Sequence, residues 1–337
     1  MLARIMETIR LPLNVNGHEL QISASIGIAI YPEDVNDGES LIRHADQAMY
    51  IAKQMGRNRM HFFDAANDQL AQIRTEGLSR VAMALEQGEL TLYYQPKVNM
   101  QSGKVVGMEA LIRWLHPQRG LLPPGEFLPM IENSDFEIRL SEWVISRAMT
   151  QLTAWRAAGI DLTVSVNLPA RHLQSHGFTE FIASAVSKHR NMDANSFELE
   201  ILETAALGDM GSAIQKMQGC IAQGIHFSID DFGTGYASLA YLRRLPARMI
   251  KIDQIFIHDM LNDEDDLSIV EGVIGLARAF KKEVIAEGVE TVGQGIRLLD
   301  FGCELAQGYG IARPMKAELV PDWVRNYRPP VEWRSNP

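Results

Sequence analysis

The chain has 337 residues, of which 46% are hydrophobic, and its formal net charge at pH 7 is −10. This length and composition suffice for one large domain with a buried core and a smaller second piece. The negative charge argues against DNA binding, because a broad electrostatic grip on DNA needs a basic face. An anionic ligand would have to be bound locally, by metal ions or by a few arginines and lysines.

The sequence contains no pattern that directs a chain into or across a membrane. No apolar run reaches the ~18 residues of a membrane span, and no signal-peptide pattern opens the sequence. The only two cysteines, Cys220 and Cys303, are expected to be core thiols in a reducing compartment. We therefore expect a cytoplasmic chain, whose longer parent protein would carry any membrane anchor upstream.

Residues 1–64 are predicted to form a small α+β unit. The patterns indicate a helix, an alternating segment, a buried strand, a second helix and a short strand at 2–9, 19–25, 26–30, 40–55 and 60–63. Ser40 is the expected N-cap of the second helix, and Gly56 is its expected C-terminal stop. Two helices and two strands give a thin core, so we expect this unit to be part of a larger domain. A helical linker is predicted at 65–77, within a helix that extends to residue 85.

The rest of the sequence predicts a hairpin followed by alternating strands and helices. Strands at 91–96 and 105–110 flank a tight turn at 100–103, so they must be antiparallel. Later strands are predicted at 162–167, 197–200, 226–231, 249–253, 284–287 and 306–308. Helices are predicted at 140–157, 179–189, 212–223, 236–244, 267–280 and 292–301. This order predicts an α/β fold, a (β/α)8 barrel with an irregular start. An open doubly wound sheet is disfavoured, because no glycine-rich fingerprint follows the first strand.

Polar residues close most of these strands, at the end of a barrel where catalytic groups lie. They are Glu109, Asn167, Glu200, Asp230, Asp231, Lys251, Asp253 and Glu287. Any one of them alone would be explained as a turn residue or a helix cap. Together, several carboxylates crowded at one rim are costly without a cation. Because the ligands are oxygens, with no cysteine or histidine at these ends, they favour Mg²⁺ or Mn²⁺ over Zn²⁺. His226 begins its strand and is expected to be structural.

The adjacent pair Asp230 and Asp231 requires a turn. Neighbouring residues in a strand point to opposite faces, so both reach one metal centre only if the chain turns there. The glycine-containing segment 232–235 is expected to supply that turn. Asp230 would then bridge two metal ions and Asp231 would bind one of them. Two metals ~4 Å apart can activate a water for displacement at phosphorus.

Arg113 and Lys251 are the candidate cations of this site. Arg113 can hold a phosphate through its planar fork, or it can form a surface ion pair. Lys251 alternates with Ile250 and Ile252, so its ammonium is expected on the inward face of the strand, where it needs a partner. Lys251 would orient a water or neutralise charge in the transition state, or it would form a buried structural salt bridge.

The stretch from about residue 78 to residue 330 resembles the EAL domain. The carriers of the resemblance occur in the family's order: YQP at 94–96, EALIRW at 109–114, SVNL at 165–168, ELE at 198–200, DDFGTGYASL at 230–239, KID at 251–253, AEGVE at 286–290 and QGY at 307–309. The resemblance implies a (β/α)8-type barrel with one antiparallel strand. It also implies hydrolysis of the bacterial second messenger cyclic di-GMP to linear pGpG.

The resemblance assigns roles to individual residues. One Mg²⁺ or Mn²⁺ would be held by Glu109, Asn167, Glu200 and Asp230. The second would be held by Asp230, Asp231 and Glu287. The residues implied in catalysis are Glu109, Lys251, Glu287 and Gln307, with Glu287 as a candidate general base. The residues implied in substrate binding are Gln95, Leu111, Arg113, Asp253 and Glu290. Glu203 would brace the loop after Asp231, which would couple metal binding to homodimer formation through the EAL domain.

Residues 1–64 resemble the C-terminal half of a GGDEF (diguanylate cyclase) domain. The carriers are SIGIA at 25–29, ADQAMY at 45–50, AK at 52–53 and GRN at 56–58. The signature loop that would bind GTP is not in this sequence, so we expect no cyclase activity from the fragment.

Three features depart from the EAL pattern: Leu202 where threonine is frequent, Pro169 where serine is common, and Gly310 with Ile311 in place of a bulkier pair. None of them removes a metal ligand, so they bear on rate or loop position.

The alternative function is a receptor that binds cyclic di-GMP without hydrolysing it. A barrel glycosidase would use Glu200 and Glu287 but would leave Asn167 and Lys251 without a role.

Overall fold

A computed structural model describes residues 2–10, 13–15, 18–20, 22–32, 37–54, 58–189, 191–203, 209–233 and 239–334. The chain divides into two compact units, Met1–Met83 and Ala84–Pro337. None of the helices within the described ranges is long and apolar enough to cross a membrane.

Within its described residues, the first unit contains short strands and three helices. They are α1 Leu2–Arg10, β1 Leu13–Val15, β2 His18–Leu20, β3 Ile26–Ile28, α2 Gly38–Gln54, β4 Met60–Phe62 and α3 Ala65–Glu86, which continues into the second unit. Strands β1 and β2 pair antiparallel, and β3 and β4 pair parallel. Helix α2 packs closely on β3, because a Cβ atom at Gly27 would lie 1.9 Å from the Ala45 carbonyl oxygen.

Two predictions for this unit were wrong in detail. Residues 22–25 lie outside any strand, so the predicted alternating segment does not run on into β3. Ser40 is not the N-cap of α2, because the helix begins at Gly38 and the carboxylate of Asp37 accepts a hydrogen bond from the Ser40 backbone N–H at 2.8 Å. The predicted stop at Gly56 lies outside the described residues.

The second unit is built on a closed ring of strands. Its strands are β5 Leu90–Asn99, β6 Val105–His116, β7 Gly120–Leu122, β8 Thr163–Asn167, β9 Phe197–Leu202, β10 His226–Phe232, β11 Met249–Ile252, β12 Glu283–Ala286, β13 Leu305–Ala306 and β14 Met315–Lys316. The ring runs β5-β13-β12-β11-β10-β9-β8-β6 and closes by pairing of β6 with β5, while β7 and β14 extend it outside. Strand β5 is antiparallel to both ring neighbours and the other ring pairings are parallel. The predicted barrel with one antiparallel strand is confirmed.

Helices connect most of the parallel strands. They are α4 Leu128–Ile131, α5 Asp135–Ala157, α6 Ala170–Gln174, α7 Phe178–Lys188, α8 Met210–Ile221, α9 Leu239–Arg244, α10 Gln254–Asp259, α11 Glu264–Ala279, α12 Val292–Phe301, α13 Val320–Asn326 and α14 Val331–Arg334. Short 3-10 helices lie at Pro124–Glu126, Ala194–Ser196 and Ala317–Leu319. Residues 236–238 of the predicted helix 236–244 lie outside the described residues.

The strands separate apolar and polar residues by their alternation. On β8, Val164 and Val166 are fully buried and alternate with Ser165 and Asn167. Most strands of the ring carry a buried carboxylate or lysine among their polar residues, so the interior of the barrel is charged. Such an interior is stable only if each charge finds a partner there.

Candidate active site

The parallel strands deliver the predicted residues to one end of the barrel. Asn167 is the last residue of β8, Lys251 is the next to last of β11, and Asp230 lies near the end of β10. Glu287 and Gln307 directly follow β12 and β13. Because carboxyl ends of parallel strands meet at the same face, these side chains share one mouth of the barrel.

Glu109 reaches this mouth from the middle of a strand. The predicted strand 105–110 was too short, because β6 continues to His116. Its pairing with β8 ends at Ala110, whereas its antiparallel pairing with β5 continues to Trp114. Glu109 therefore lies near the rim of the ring, although its own strand extends beyond it.

The ammonium of Lys251 is the centre of the carboxylate cluster. Its Nζ lies 2.7 Å from Glu200 Oε2, 2.8 Å from Asp230 Oδ1 and 2.7 Å from Glu287 Oε1. It also lies 3.9 Å from Glu109 Oε2. Only 1% of the Lys251 side chain is exposed. The inward orientation that alternation predicted is therefore present, and the buried charge is compensated by neighbouring carboxylates.

Amide side chains orient Glu109. Asn167 Nδ2 donates to Glu109 Oε1 at 2.9 Å, and Gln307 Nε2 donates to Oε2 at 2.6 Å. The same Gln307 nitrogen lies 3.0 Å from Gln95 Oε1, and Gln95 Nε2 donates to the Ala312 carbonyl. Gln307 Oε1 is buried and accepts no hydrogen bond from the residues that the structure describes. This oxygen is an acceptor available to a ligand or a water.

Two lysines hold the carboxylate of Glu200. Lys251 takes Oε2, and Lys97 donates to Oε1 at 2.6 Å from inside the barrel. Burial alone would raise the pKa of Glu200. The Lys251 and Lys97 ammonium groups lower this pKa by more than burial raises it, so the pKa lies well below its ordinary value. Glu200 is therefore ionised whenever the protein is folded near neutral pH.

The chain turns at Asp231 itself, one residue before the segment predicted to turn. The register of β10 against β11 shifts between Ile229 and Phe232, which marks a bulge. Asp231 has φ of 50°, a left-handed conformation that aspartate tolerates, and Gly233 has φ of 106°. The turn lets both aspartates face the same centre as Glu287. One carboxylate oxygen from each of the three residues lies within 4.8 Å of the other two.

Burial and mutual repulsion perturb this cluster. Burial, with the charge of Glu200, raises the pKa of Glu109 to about 7. Burial, with Asp230 nearby, raises the pKa of Asp231 to about 6 and that of Glu287 to about 8. Burial lowers the pKa of Lys251, but Asp230, Glu109 and Glu200 outweigh this and raise it well above its usual value. Carboxylates that resist ionisation in this way gain most from added positive charge.

The donor set suits a hard divalent cation. The trio of Asp230, Asp231 and Glu287 offers only carboxylate oxygens, as Mg²⁺ and Mn²⁺ prefer. Of the residues implied for the other metal, Glu200 and Asp230 contact the Lys251 ammonium directly, and Asn167 donates to Glu109.

A cavity of about 240 Å³ lies against the cluster. Of the residues expected to bind substrate, it is lined by Gln95, Leu111 and Glu290. Asp253 is not among the lining residues, and its carboxylate caps α10 by accepting from the Ile255 N–H. A larger cavity of about 540 Å³ opens at the opposite mouth, lined by strand-initial residues such as Thr163, so it is remote from the carboxylate trio.

Arg113 is half-buried beside this site without lining the cavity. Its Nη1 donates to the Ile112 carbonyl, and its guanidinium carbon lies 6.0 Å from the centre of the Tyr93 ring. Burial lowers the pKa of Arg113. In this arrangement its side chain must turn from the Ile112 carbonyl to contact a ligand in the cavity.

Glu203 lies next to the turn that follows Asp231. It is buried, and its Oε2 accepts a hydrogen bond from the Gly233 N–H at 3.2 Å. The glycine at position 310 also has a structural reason, because a Cβ atom there would lie 2.4 Å from the Glu290 carbonyl oxygen. Leu202 is 48% exposed, and Pro169 immediately precedes α6.

Sequence reasoning missed Lys97 and left Tyr309 without a role. Lys97 alternates with Gln95 on β5, which is the same signal that placed Lys251 inside the barrel. Tyr309 is half-exposed, lines the cavity and lies under the Arg313 guanidinium at 4.3 Å from ring centre to carbon. An aromatic ring at this position offers a flat surface for a planar ligand.

Comparison with known proteins gives one coherent result. The EAL domain family matches residues 78–314, and the family described as diguanylate cyclase, GGDEF domain, matches residues 1–59. The chain is 40% identical over 318 residues to the bifunctional diguanylate cyclase/cyclic di-GMP phosphodiesterase MucR of Pseudomonas aeruginosa, covering 94% of this chain and 46% of MucR. It is 36% identical over 328 residues to the cyclic di-GMP phosphodiesterase PdeR of Escherichia coli, covering 97% of this chain and 49% of PdeR. The chain thus spans about half the length of these curated relatives.

A solved structure resembles the barrel unit closely. The structure described as PaMucR phosphodiesterase, c-di-GMP complex, superposes with a TM-score of 0.70 at 39% identity. The match covers 73% of this chain and 99% of that structure.

Proposed function

Because the chain belongs to the EAL domain family, we propose that it hydrolyses cyclic di-GMP to linear pGpG. The observation that carries this proposal is the convergence of Asp230, Asp231 and Glu287 within 4.8 Å, beside a cavity of about 240 Å³. The MucR and PdeR relatives, both named cyclic di-GMP phosphodiesterases, support the substrate.

The reaction adds one water across one phosphodiester bond. The water oxygen bonds to phosphorus, the bond from phosphorus to the 3′ oxygen breaks, and that oxygen takes a proton. When bound, two Mg²⁺ or Mn²⁺ ions would activate the water and stabilise charge on the phosphoryl oxygens. The residues proposed to hold them are Glu109, Asn167, Glu200, Asp230, Asp231 and Glu287.

The remaining polar groups act on protons and orientation. Glu287 lies among the carboxylates at the cavity wall and is the candidate general base for the water. Gln307 offers the buried Oε1 as an acceptor for a proton of the water. The Lys251 ammonium, already among the carboxylates, supplies fixed positive charge next to the reacting phosphate.

Substrate contacts are proposed along the cavity wall. Gln95, Leu111 and Glu290 line it and would contact the nucleotide. Arg113 would turn toward a phosphate, and Asp253 would act through its position at the start of α10. Tyr309 presents a ring on which a guanine base can stack.

The proposal extends to the domain boundaries, the dimer and the location of the protein. We assign the phosphodiesterase to residues 78–330, the linker to 65–77 and the GGDEF-like fragment to 1–64. A homodimer through the EAL domain would transmit its contacts to Asp231 through the loop that Glu203 braces. A cytoplasmic location agrees with Cys220 and Cys303 as buried free thiols and with an intracellular messenger as substrate.

The proposal is tested by incubating the chain with cyclic di-GMP and Mg²⁺ or Mn²⁺ and separating the nucleotides by chromatography. We expect linear pGpG to accumulate over many turnovers. Tight binding of cyclic di-GMP in saturating metal, with no pGpG at stoichiometric protein, would instead identify a receptor and refute the proposal.

A further inference from the structure

Lys97 is a buried charge that no predicted role explains. It is 4% exposed and lies on β5, two residues beyond Gln95. Its Nζ is 2.6 Å from Glu200 Oε1 and 3.7 Å from Glu198 Oε1. The lysine therefore connects a carboxylate at the active-site mouth with one nearer the opposite mouth.

The backbone around Lys97 is arranged to bring it inside the barrel. The register of β5 against β6 shifts by one residue between Lys97 and Val98, and such bulges re-aim side chains next to active sites. The residue paired with Lys97 on β6 is Gly107, which adds no side chain to this part of the interior.

Stabilisation of the fold alone does not explain why a lysine occupies position 97. A buried ion pair seldom stabilises a fold more than apolar side chains of similar volume, because two charges must be desolvated. A methionine on β5 would fill the barrel without that cost. We therefore attribute the role of Lys97 to the effect of its positive charge on Glu200.

We propose that Lys97 is a positioning residue for the metal site. It holds Glu200 Oε1 from inside the barrel, so that only Oε2 is turned toward the site, and it compensates the Glu200 charge when no cation is bound. This role rests on the proposed function, since it presumes that a divalent cation binds near Glu200. It also opposes the bound cation, because a positive charge behind a ligand weakens the attraction of a second positive charge in front of it.

The test compares Lys97→Met with wild type by thermal unfolding, in EDTA and in saturating Mn²⁺. Removing Lys97 leaves Glu200 with one unpaired buried oxygen, so we expect the melting temperature in EDTA to fall by roughly 5–10 °C. Mn²⁺ takes over the lost compensation and should restore most of this deficit. The Mn²⁺ concentration for half-maximal stabilisation should fall by about tenfold or more, since binding raises stability according to affinity.

Two variants separate charge from packing. Lys97→Arg keeps the charge and should respond to Mn²⁺ as wild type does. Lys282→Met removes a half-buried lysine that lines the 540 Å³ cavity at the opposite mouth, as Lys97 does, but that donates to the Leu245 and Ala247 carbonyls. It should unfold at a lower temperature by the same amount with and without Mn²⁺.

A Lys97→Met deficit that is equal or larger in Mn²⁺ would overturn the proposal. If Lys97→Met has no folding transition in EDTA, Lys97→Met/Glu200→Gln removes the charge together with its partner and should recover one. A double variant no better than the single one would show that Lys97 acts by packing alone, and would also overturn it.

Failure of the proposed Lys97 role can be distinguished from failure of the proposed hydrolysis. A wild-type chain that forms pGpG and is stabilised by Mn²⁺, with a Lys97→Met variant that shows the unaltered Mn²⁺ response, refutes only the role of Lys97. A wild-type chain without either property refutes both. In hydrolysis, Lys97→Met should keep the KM for cyclic di-GMP within about twofold, because Lys97 does not line the cavity, and should reach full rate at lower Mn²⁺.

Discussion

Replacing Lys251 by methionine probes the charge balance of the site most sharply. The substitution keeps the length of the side chain but removes an ammonium within 2.8 Å of carboxylates of Glu200, Asp230 and Glu287. Each of these acids would then lose its contact with the Lys251 ammonium, at a place where only 1% of the Lys251 side chain is exposed.

The expected cost follows from the burial of these groups. Removing one partner of a buried ion pair costs about 3–5 kcal/mol, because the remaining charge is left uncompensated. Glu200 keeps Lys97, and the other acids can take up protons, so we place the loss for Lys251→Met in this range for the metal-free protein. The corresponding fall in melting temperature is roughly 6–20 °C.

Urea unfolding in EDTA at pH 7.5 measures this loss. Lys316→Met, at an exposed position on β14, is the matched control and should change the free energy of unfolding by no more than about 0.5 kcal/mol. A Lys251→Met protein within about 1 kcal/mol of wild type would refute the reasoning, since the carboxylates would then not depend on Lys251. We also expect the variant to lose about 10²–10³-fold in kcat, as for the loss of one preorganised charge.

Three further predictions concern metal, backbone and pH. EDTA should abolish pGpG formation and either Mg²⁺ or Mn²⁺ should restore it, whereas restoration by Zn²⁺ alone would contradict the oxygen donor set. Gly310→Ala should lower the free energy of unfolding by about 1–3 kcal/mol, since its Cβ would lie 2.4 Å from the Glu290 carbonyl oxygen, and an unchanged urea midpoint would contradict this. Burial lowers the pKa of His172 from 6.5 to about 4, so the unfolded chain binds this proton first and stability falls as pH drops from about 6.5 to 4. His172→Gln should remove about 3 kcal/mol of that acid-induced loss, and an identical pH profile of unfolding in both proteins would count against it.

The sequence allowed the barrel and most of its mouth to be predicted because alternation and strand ends are local signals. Lys251 lies between two isoleucines on a four-residue strand, so alternation places its side chain on the inward face. The carboxylates at neighbouring strand ends supply the partners that a buried lysine needs. Asn167 and Glu287 closed short apolar runs, which is where a parallel strand presents its catalytic face.

The errors arose where a distant partner decides the local structure. The length of β6 is set by its pairing with the ten-residue strand β5, so Glu109 lies inside a strand that looked shorter. The turn starts at Asp231 because a bulge against β11 forms there, which the glycines alone do not reveal. Alternation with Gln95 indicated that Lys97 faces the interior, but its partner Glu200 lies 103 residues away in the sequence, so the ion pair itself could not be predicted.

Single-turnover hydrolysis tests the central claim most directly. Enzyme in excess over cyclic di-GMP is mixed with Mn²⁺, and the yield of pGpG is followed for wild type and for Glu109→Gln, whose amide cannot replace a carboxylate that accepts from both Asn167 and Gln307. We predict complete conversion by wild type, none in EDTA, and a rate at least about 10²-fold lower for the variant. Cyclic di-GMP that remains intact with wild-type protein and Mn²⁺, or a variant as fast as wild type, would contradict the account.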